Sequence, residues 1–354
     1  PYYIRAALGR GAAALFAGLL VFDSVAVGGV IQSSAIAEAA AGLGVEPLAT
    51  GLALAIAAAL IFFFGVDLFG LSAVVVPVMA VGYIAASLGV IVLHAANLPA
   101  AFGAIFAGAF RPAAAFGGLV GFLLSPALRQ GIVKGLFSNE AGCGTAAAAH
   151  AETKETVPAR QGLFGILEVF CDTVLLCTLT ALAILTSLGD DLAVYGAAGV
   201  RLCTAAFATV FGKGAPLLMF AFVFLFAFAT IVAYGYYGMA TLGYFTGGRG
   251  ARGAFLVCYC LAQLCGAIAA PAAVWTLSDT VICLLLFVNM AAVTAGADEI
   301  FAAHDAFYAQ IGKYAQSASR MKSRISAAAK KESAISDRVT NSGEMPYFAQ
   351  NRAK

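Results

Sequence analysis

Apolar residues fill this chain in runs of bilayer-spanning length, and the polar positions between and within them are few enough to read singly. A hydrocarbon core of about 30 Å, crossed at 1.5 Å per residue, needs about 20 apolar residues per helix. Eight runs meet or approach that length: Leu8 to Glu38, Leu48 to Gly65, Leu68 to His94, Ala113 to His150, Gly162 to Leu188, Pro216 to Phe245, Ala254 to Ile268 and Val274 to Ala295. They are unbroken rather than alternating, which predicts helices and not the strands of a barrel. Leu98 to Phe110 reads as amphipathic and too short to cross.

Polar interruptions give each run its character. The first is too long for a perpendicular span and carries Asp23, Gln32, Ser33 and Ser34, so a long tilted helix with one polar face is predicted. Pro77 should kink the third. The fourth far exceeds one bilayer thickness and holds Pro126, Arg129, Lys134, Asn139 and Glu140, followed by Gly142 and Gly144. One straight helix cannot accommodate it. A broken helix can, with its unwound centre at Phe137 to Thr145, including Ser138, Asn139, Glu140, Gly142 and Gly144, because free backbone groups in a membrane are tolerated only against protein or water.

Composition fixes the class: 62% of residues are hydrophobic and 11% charged, against about 25% charged in a typical soluble domain. An all-α polytopic membrane protein follows, with a transmembrane domain at 1–297 and a basic tail at 298–354. The net charge of +2 argues for no nucleic-acid partner, since nine of the 20 Lys and Arg lie in that tail. Arg5, Arg10, Lys154, Arg160, Arg249 and Arg252 fall on one set of connections, and Arg111, Arg201 and Lys213 on the other, with Asp190 and Asp191. The excess of cations puts the first set and the tail in the cytoplasm, and the protein in the cell membrane.

Eight cysteines sit inside apolar runs without a metal-ligand spacing, so neither disulfide, metal site nor cofactor is predicted. No Ser-His-Asp or Cys-His constellation supports an enzyme. Ionisable groups within the runs carry the candidate chemistry, because each is costly there. Glu140 either binds a cation or staples the break, through backbone N–H groups or Arg129 or Lys134. Glu168 and Asp172, four residues apart and on one helix face, form either a relay or structural pairs. Asp279, after Trp275, reads as a helix-start or interfacial residue. Gln32 suits a zwitterion or plain interhelical bonding. Thr230 and Tyr234 share a face and would line one small pocket as hydroxyl ligand and aromatic lid.

Gly135-Leu-Phe-Ser-Asn-Glu-Ala-Gly-Cys-Gly-Thr-Ala-Ala-Ala-Ala-His-Ala151 resembles the signature of the alanine/glycine:cation symporter family, the sodium:alanine symporters. Pro1-Tyr-Tyr-Ile4, Val30-Ile-Gln-Ser33, Arg160-Gln-Gly162, Asp172-Thr173, Cys177-Thr-Leu-Thr-Ala181, Phe226-Ala-Phe-Ala-Thr-Ile231 and Tyr236-Tyr-Gly238 match in order, so the likeness covers about Pro1 to Asn289. It implies the inverted-repeat fold of amino-acid/sodium symporters, entered at the family's third helix and lacking the first two, with the broken run as its sixth helix.

The resemblance further implies sodium-coupled transport of a small neutral amino acid, alanine or glycine, by alternating access. Gln32 would hydrogen-bond the substrate, Phe137 and Tyr234 would close over its methyl group, and Thr230 would contact substrate or sodium. No metal is implied beyond sodium. Tyr234 stands where the family usually has tryptophan, Ala229 where it has serine and Met239 where it has glutamate. A shortened membrane protein that binds a ligand or partner without transporting it is the alternative.

Overall fold

The computed structural model of the chain describes residues 1–65, 68–110, 126–151, 153–189, 192, 199–269, 271–313, 321–323 and 326, with the backbone alone at 68–73, 271–274 and 277. The start of the fourth run, Arg111, Asp190, Asp191 and most of the basic tail lie outside the described residues. Among the described residues helix follows helix and there is no strand. In chain order these are α1 (Tyr2–Leu8), α2 (Arg10–Ala41), α3 (Pro47–Phe64), α4 (Leu68–Leu93), α5 (Leu98–Phe110), α6 (Pro126–Asn139), α7 (Ala146–His150), α8 (Pro158–Leu188), α9 (Gly199–Phe211), α10 (Ala215–Leu242), α11 (Arg249–Ile268) and α12 (Pro271–Ala295).

Seven helical stretches among the described residues are long and apolar enough to cross a membrane. They correspond to every predicted span except the fourth. Local chemistry sets their limits: Pro47 opens α3 after an extended Glu46, and Gly65 closes it in the left-handed region at φ 62°.

Three features were not legible as helix limits. Gly9, at φ 87°, separates α2 from α1, a short helix that lies before the first predicted run. Within α2, Ser24–Ile31 winds as a π-helix, and Phe170–Leu176 does the same within α8. Gly199–Phe211 is helical where the pattern suggested a connection, with Ala206 and Phe207 fully buried. Helix α4 continues through Pro77.

Three apolar clusters hold the helices together. One cluster joins Phe16, Leu20 and Val27 to Cys143, Tyr234, Tyr237 and Leu285. A second cluster joins Tyr83, Val90 and Leu182 to Phe207 and Met219, and a third joins Ile36 and Leu54 to Ile231, Phe255 and Tyr259. Small residues allow the close approaches that membrane helices rely on. A Cβ at Gly266 of α11 would overlap the Val30 carbonyl of α2, and one at Gly51 of α3 would lie 2.8 Å from Ala267. Large apolar residues also point outward, Phe63 at 82% and Phe287 at 73% exposure. On a lipid-facing surface that costs nothing, because acyl chains are as apolar as the side chains.

The chain divides into two compact units, residues 1–156 with 161–296, and residues 157–160 with 297–354. In the second, residues 297–313 are helical.

Candidate functional site

The polar stretch predicted to unwind is a break between α6 and α7. Ser138 and Asn139 are the last helical residues, so the unwound part is Glu140 to Thr145. Glu140 takes φ 53°, the single described non-glycine residue at positive φ, Ala141–Cys143 form one 3-10 turn, and Gly144 returns at φ 80°. Left-handed backbone is unfavourable for glutamate and needs surrounding structure to hold it.

That structure is visible residue by residue. Asn139 caps both ways: its Nδ2 donates to the Gly135 carbonyl at 2.8 Å, and its Oδ1 accepts the Ala141 N–H at 3.1 Å. The Thr145 hydroxyl donates to the Glu140 carbonyl at 3.3 Å. Three helices then fasten the break from outside. From α8, Asp172 Oδ2 accepts the Ser138 hydroxyl at 2.5 Å and Thr173 Oγ1 accepts Asn139 Nδ2 at 3.1 Å. From α10, the Tyr234 hydroxyl donates to Glu140 Oε1 at 2.5 Å. From α12, Asn289 Nδ2 donates to the Gly142 carbonyl at 2.9 Å, while its Oδ1 accepts the Tyr3 hydroxyl of α1 at 2.5 Å.

Asp172 and Trp275, which touch Ser138 and Phe137 at the end of α6, border a cavity of about 1190 Å³. Gln32 and Thr230 line it, together with Asp172, Tyr83, Phe226 and Trp275. Gln32 is the first residue after the π stretch of α2, and Thr230 Oγ1 is held by the Phe226 carbonyl of its own helix at 3.0 Å. Glu38 and Arg201, whose side chains pair at 3.6 Å, also line it. The volume greatly exceeds that of a small amino acid.

The four residues expected to form one pocket are divided between two environments. Gln32 and Thr230 line the cavity. Tyr234, one turn from Thr230, is buried at 2% exposure and is not among the cavity-lining residues described. Its ring seats against Gly28, which has no side chain to exclude it, and its hydroxyl is committed to Glu140. Phe137 packs against Trp275 with ring centroids 5.3 Å apart, so it meets the cavity through that indole.

Other candidate charges resolve into specific pairs. Lys134 bonds Asp279 at 2.6 Å and lies 4.4 Å from the Trp275 ring. Asp279 is therefore a partner within α12 rather than a helix-start residue, and Lys134 is not the staple of Glu140. Glu168 is 3.4 Å from His150, while Asp172 holds Ser138, so the two acids serve different partners. The eight cysteines are free thiols.

Asp23, expected on a polar face, is completely buried, and neither carboxylate oxygen has a hydrogen-bond partner among the described residues. It immediately precedes the π stretch of α2. Its position inside an otherwise apolar run was the available signal.

A family model described as the sodium:alanine symporter family matches residues 1–321. Among curated proteins, the chain is 32% identical to the sodium/alanine symporter AgcS of Methanococcus maripaludis, over 77% of this chain and 60% of that protein. It is 31% identical to the "Probable sodium/glutamine symporter GlnT" of Bacillus subtilis, over 85% of this chain and 63% of GlnT. The amino-acid carrier protein AlsT of the same organism is 29% identical, over 82% and 61%. The chain spans about three fifths of the length of these relatives. Seven apolar helical stretches, a break fastened from three sides and a family match over most of the sequence agree: the chain is a multi-pass membrane protein and belongs to the sodium:alanine symporter family.

Proposed function

We propose that this chain forms part of a sodium-coupled symporter that moves a small neutral amino acid, alanine or glycine, by alternating access. The observation that carries this reading is the broken α6–α7 segment beside a cavity whose wall offers an amide and a hydroxyl, Gln32 and Thr230. Those groups suit the hydrogen-bonding ends of a zwitterion. Thr230 is assigned to substrate or sodium contact, Phe137 to the wall behind Trp275, and Tyr234 to holding the break. Sodium, as transported ion, would find the oxygen ligands it prefers along this wall. The transmembrane domain is assigned to 1–297 and the tail at 298–354 to the cytoplasmic side.

Uptake of labelled alanine and glycine into proteoliposomes, with and without an inward sodium gradient, tests the reading. Accumulation only with the gradient, reduced by Gln32→Ala, is expected. Uptake indifferent to sodium overturns the coupling.

The cavity volume favours a second reading, in which a larger neutral amino acid such as glutamine is carried. Competition between glutamine and alanine in the same vesicles separates the two, because a substrate with an amide side chain competes only where there is space for it.

A further inference from the structure

The Asp23 carboxylate lies at the junction of the α and π portions of α2 with no solvent exposure and no hydrogen-bond donor on either oxygen. Burying an ionised carboxylate without a partner is among the most expensive arrangements a protein can hold. Asp23 is also not alone. It is an electrostatic neighbour of Glu140 at the break, and Cys143 and Tyr234, which flank Glu140, each interact with both acids.

Among the described residues, the electrostatic neighbours of this pair supply no positive charge. From α10 come Tyr234, donating to Glu140 Oε1, and Tyr237, an electrostatic neighbour of Glu140. From the 3-10 turn comes Cys143, and from α12 Cys283, an electrostatic neighbour of Cys143. On α11, the Tyr259 hydroxyl is committed to the Ile231 carbonyl, and on α1 the Tyr3 hydroxyl is committed to Asn289. Lys134 is occupied by Asp279, and Arg201 by Glu38. The Thr145 hydroxyl also stands at Glu140, and Glu168 and Asp172 of α8 are further acidic neighbours of it, so hydroxyl donors serve the Glu140 side while Asp23 has none.

We infer that Asp23 and Glu140 form a binding site for one monovalent cation, Na+ or H+, separate from the cavity lined by Gln32 and Thr230. The cation neutralises the charge that the surrounding side chains leave uncompensated. Because Asp23 belongs to α2 and Glu140 to the break, occupancy ties the unwound segment to a continuous helix. Emptying the site sets two like charges against each other and favours their separation. Occupancy stands on the burial and the absent partners; a part in coupling rests on the symport reading.

The test uses the purified full chain in nanodiscs. In a sodium arm, thermal unfolding is compared in NaCl and choline chloride. In a proton arm, infrared difference spectra between wild type and Asp23→Asn are searched for a carboxylic-acid C=O stretch at neutral pH. A sodium-dependent rise in Tm lost in Asp23→Asn assigns Na+, and an acid band lost in the same variant assigns H+. Absence of the acid band, with a sodium response unchanged in Asp23→Asn and Glu140→Gln, overturns the site. Should either variant fail to fold, the wild-type carboxylate stretch with and without sodium decides: no change and no acid band again overturns it. Alanine uptake that persists without either signature would retire this site and leave the symport reading. A sodium-dependent Tm rise lost in Asp23→Asn, in a protein that takes up no alanine, would do the reverse.

Discussion

Gly28 of α2 and Tyr234 of α10 approach so closely that a Cβ at residue 28 would overlap the root of the tyrosine side chain. The contact is with the first carbons of Tyr234, which cannot swing away without moving α10. It seats a ring that is 2% exposed and carries its hydroxyl to Glu140 Oε1. One missing side chain on a continuous helix thus sets where the broken helix is held.

Gly28→Ala should accordingly lower stability by about 1–3 kcal/mol, the usual cost of overpacking a close-packed site. Gly18→Ala is the matched control, since nothing lies within 4 Å of its would-be Cβ. There the change should be neutral or stabilising by about 0.5–1 kcal/mol, through helix propensity. Thermal unfolding of both variants in the same detergent checks the difference. Equal Tm values would show that the close approach does not constrain the helices.

Tyr234→Phe keeps the ring and removes the donor to Glu140. A hydrogen bond to a charged or buried acceptor contributes about 1–3 kcal/mol, and membrane measurements sit at the low end. A lower Tm is expected, with the fold retained, because the ring still fills the space beside Gly28. An unchanged Tm would mean that Glu140 finds another donor.

Asn289 tests the third fastening. Its amide donates to the Gly142 carbonyl and its oxygen accepts from Tyr3, so the two halves of one side chain hold different elements. Asn289→Asp keeps the acceptor and removes the donor. It should destabilise the break by about 1–2 kcal/mol or more, leaving a carbonyl unsatisfied away from water. Tyr3→Phe should cost less, because Asn289 would still hold Gly142. Faster proteolytic cleavage within 140–145 in Asn289→Asp than in Tyr3→Phe is the expected readout, and equal rates would contradict this ordering.

The break itself was legible in the sequence, since Asn139 and Glu140 followed by Gly142 and Gly144 are incompatible with continuing an apolar helix. Its partners were not. Glu168 and Asp172 are four apart and should share a face on a regular helix, yet one meets His150 and the other Ser138. A shared face sets direction and not partner: one turn apart along α8, Glu168 stands level with α7 and Asp172 with the end of α6. Asp23 and Gln32, grouped on one polar face of α2, sit about half a turn apart even on a regular helix, and they meet different surroundings: Asp23 is buried and Gln32 lines the cavity. Local spacing puts Thr230 and Tyr234 on one face of α10, yet Thr230 lines the cavity while Tyr234 is buried against Gly28 of another helix. Helix α9 was missed because Arg201 and Lys213, with the short apolar content around them, read as connection rather than as a half-buried helix.

Ser138 and Asp172 offer a sharper test, because Asp172 both lines the cavity and accepts the Ser138 hydroxyl. If that bond positions the end of α6, removing either partner should disturb the same geometry. Ser138→Ala and Asp172→Ala would then each lower stability, and the double variant would lose less than the sum. Directly bonded groups show interaction energies of about 0.5–3 kcal/mol in such cycles. Asp172→Asn separates the bond from the charge, since its amide oxygen can still accept from Ser138 and Thr173. Stability close to wild type in Asp172→Asn, with a non-additive alanine cycle, would assign Asp172 to holding the break. Additive losses would instead mean that the two side chains act independently, and the fastening of α6 to α8 would rest on Asn139 and Thr173 alone.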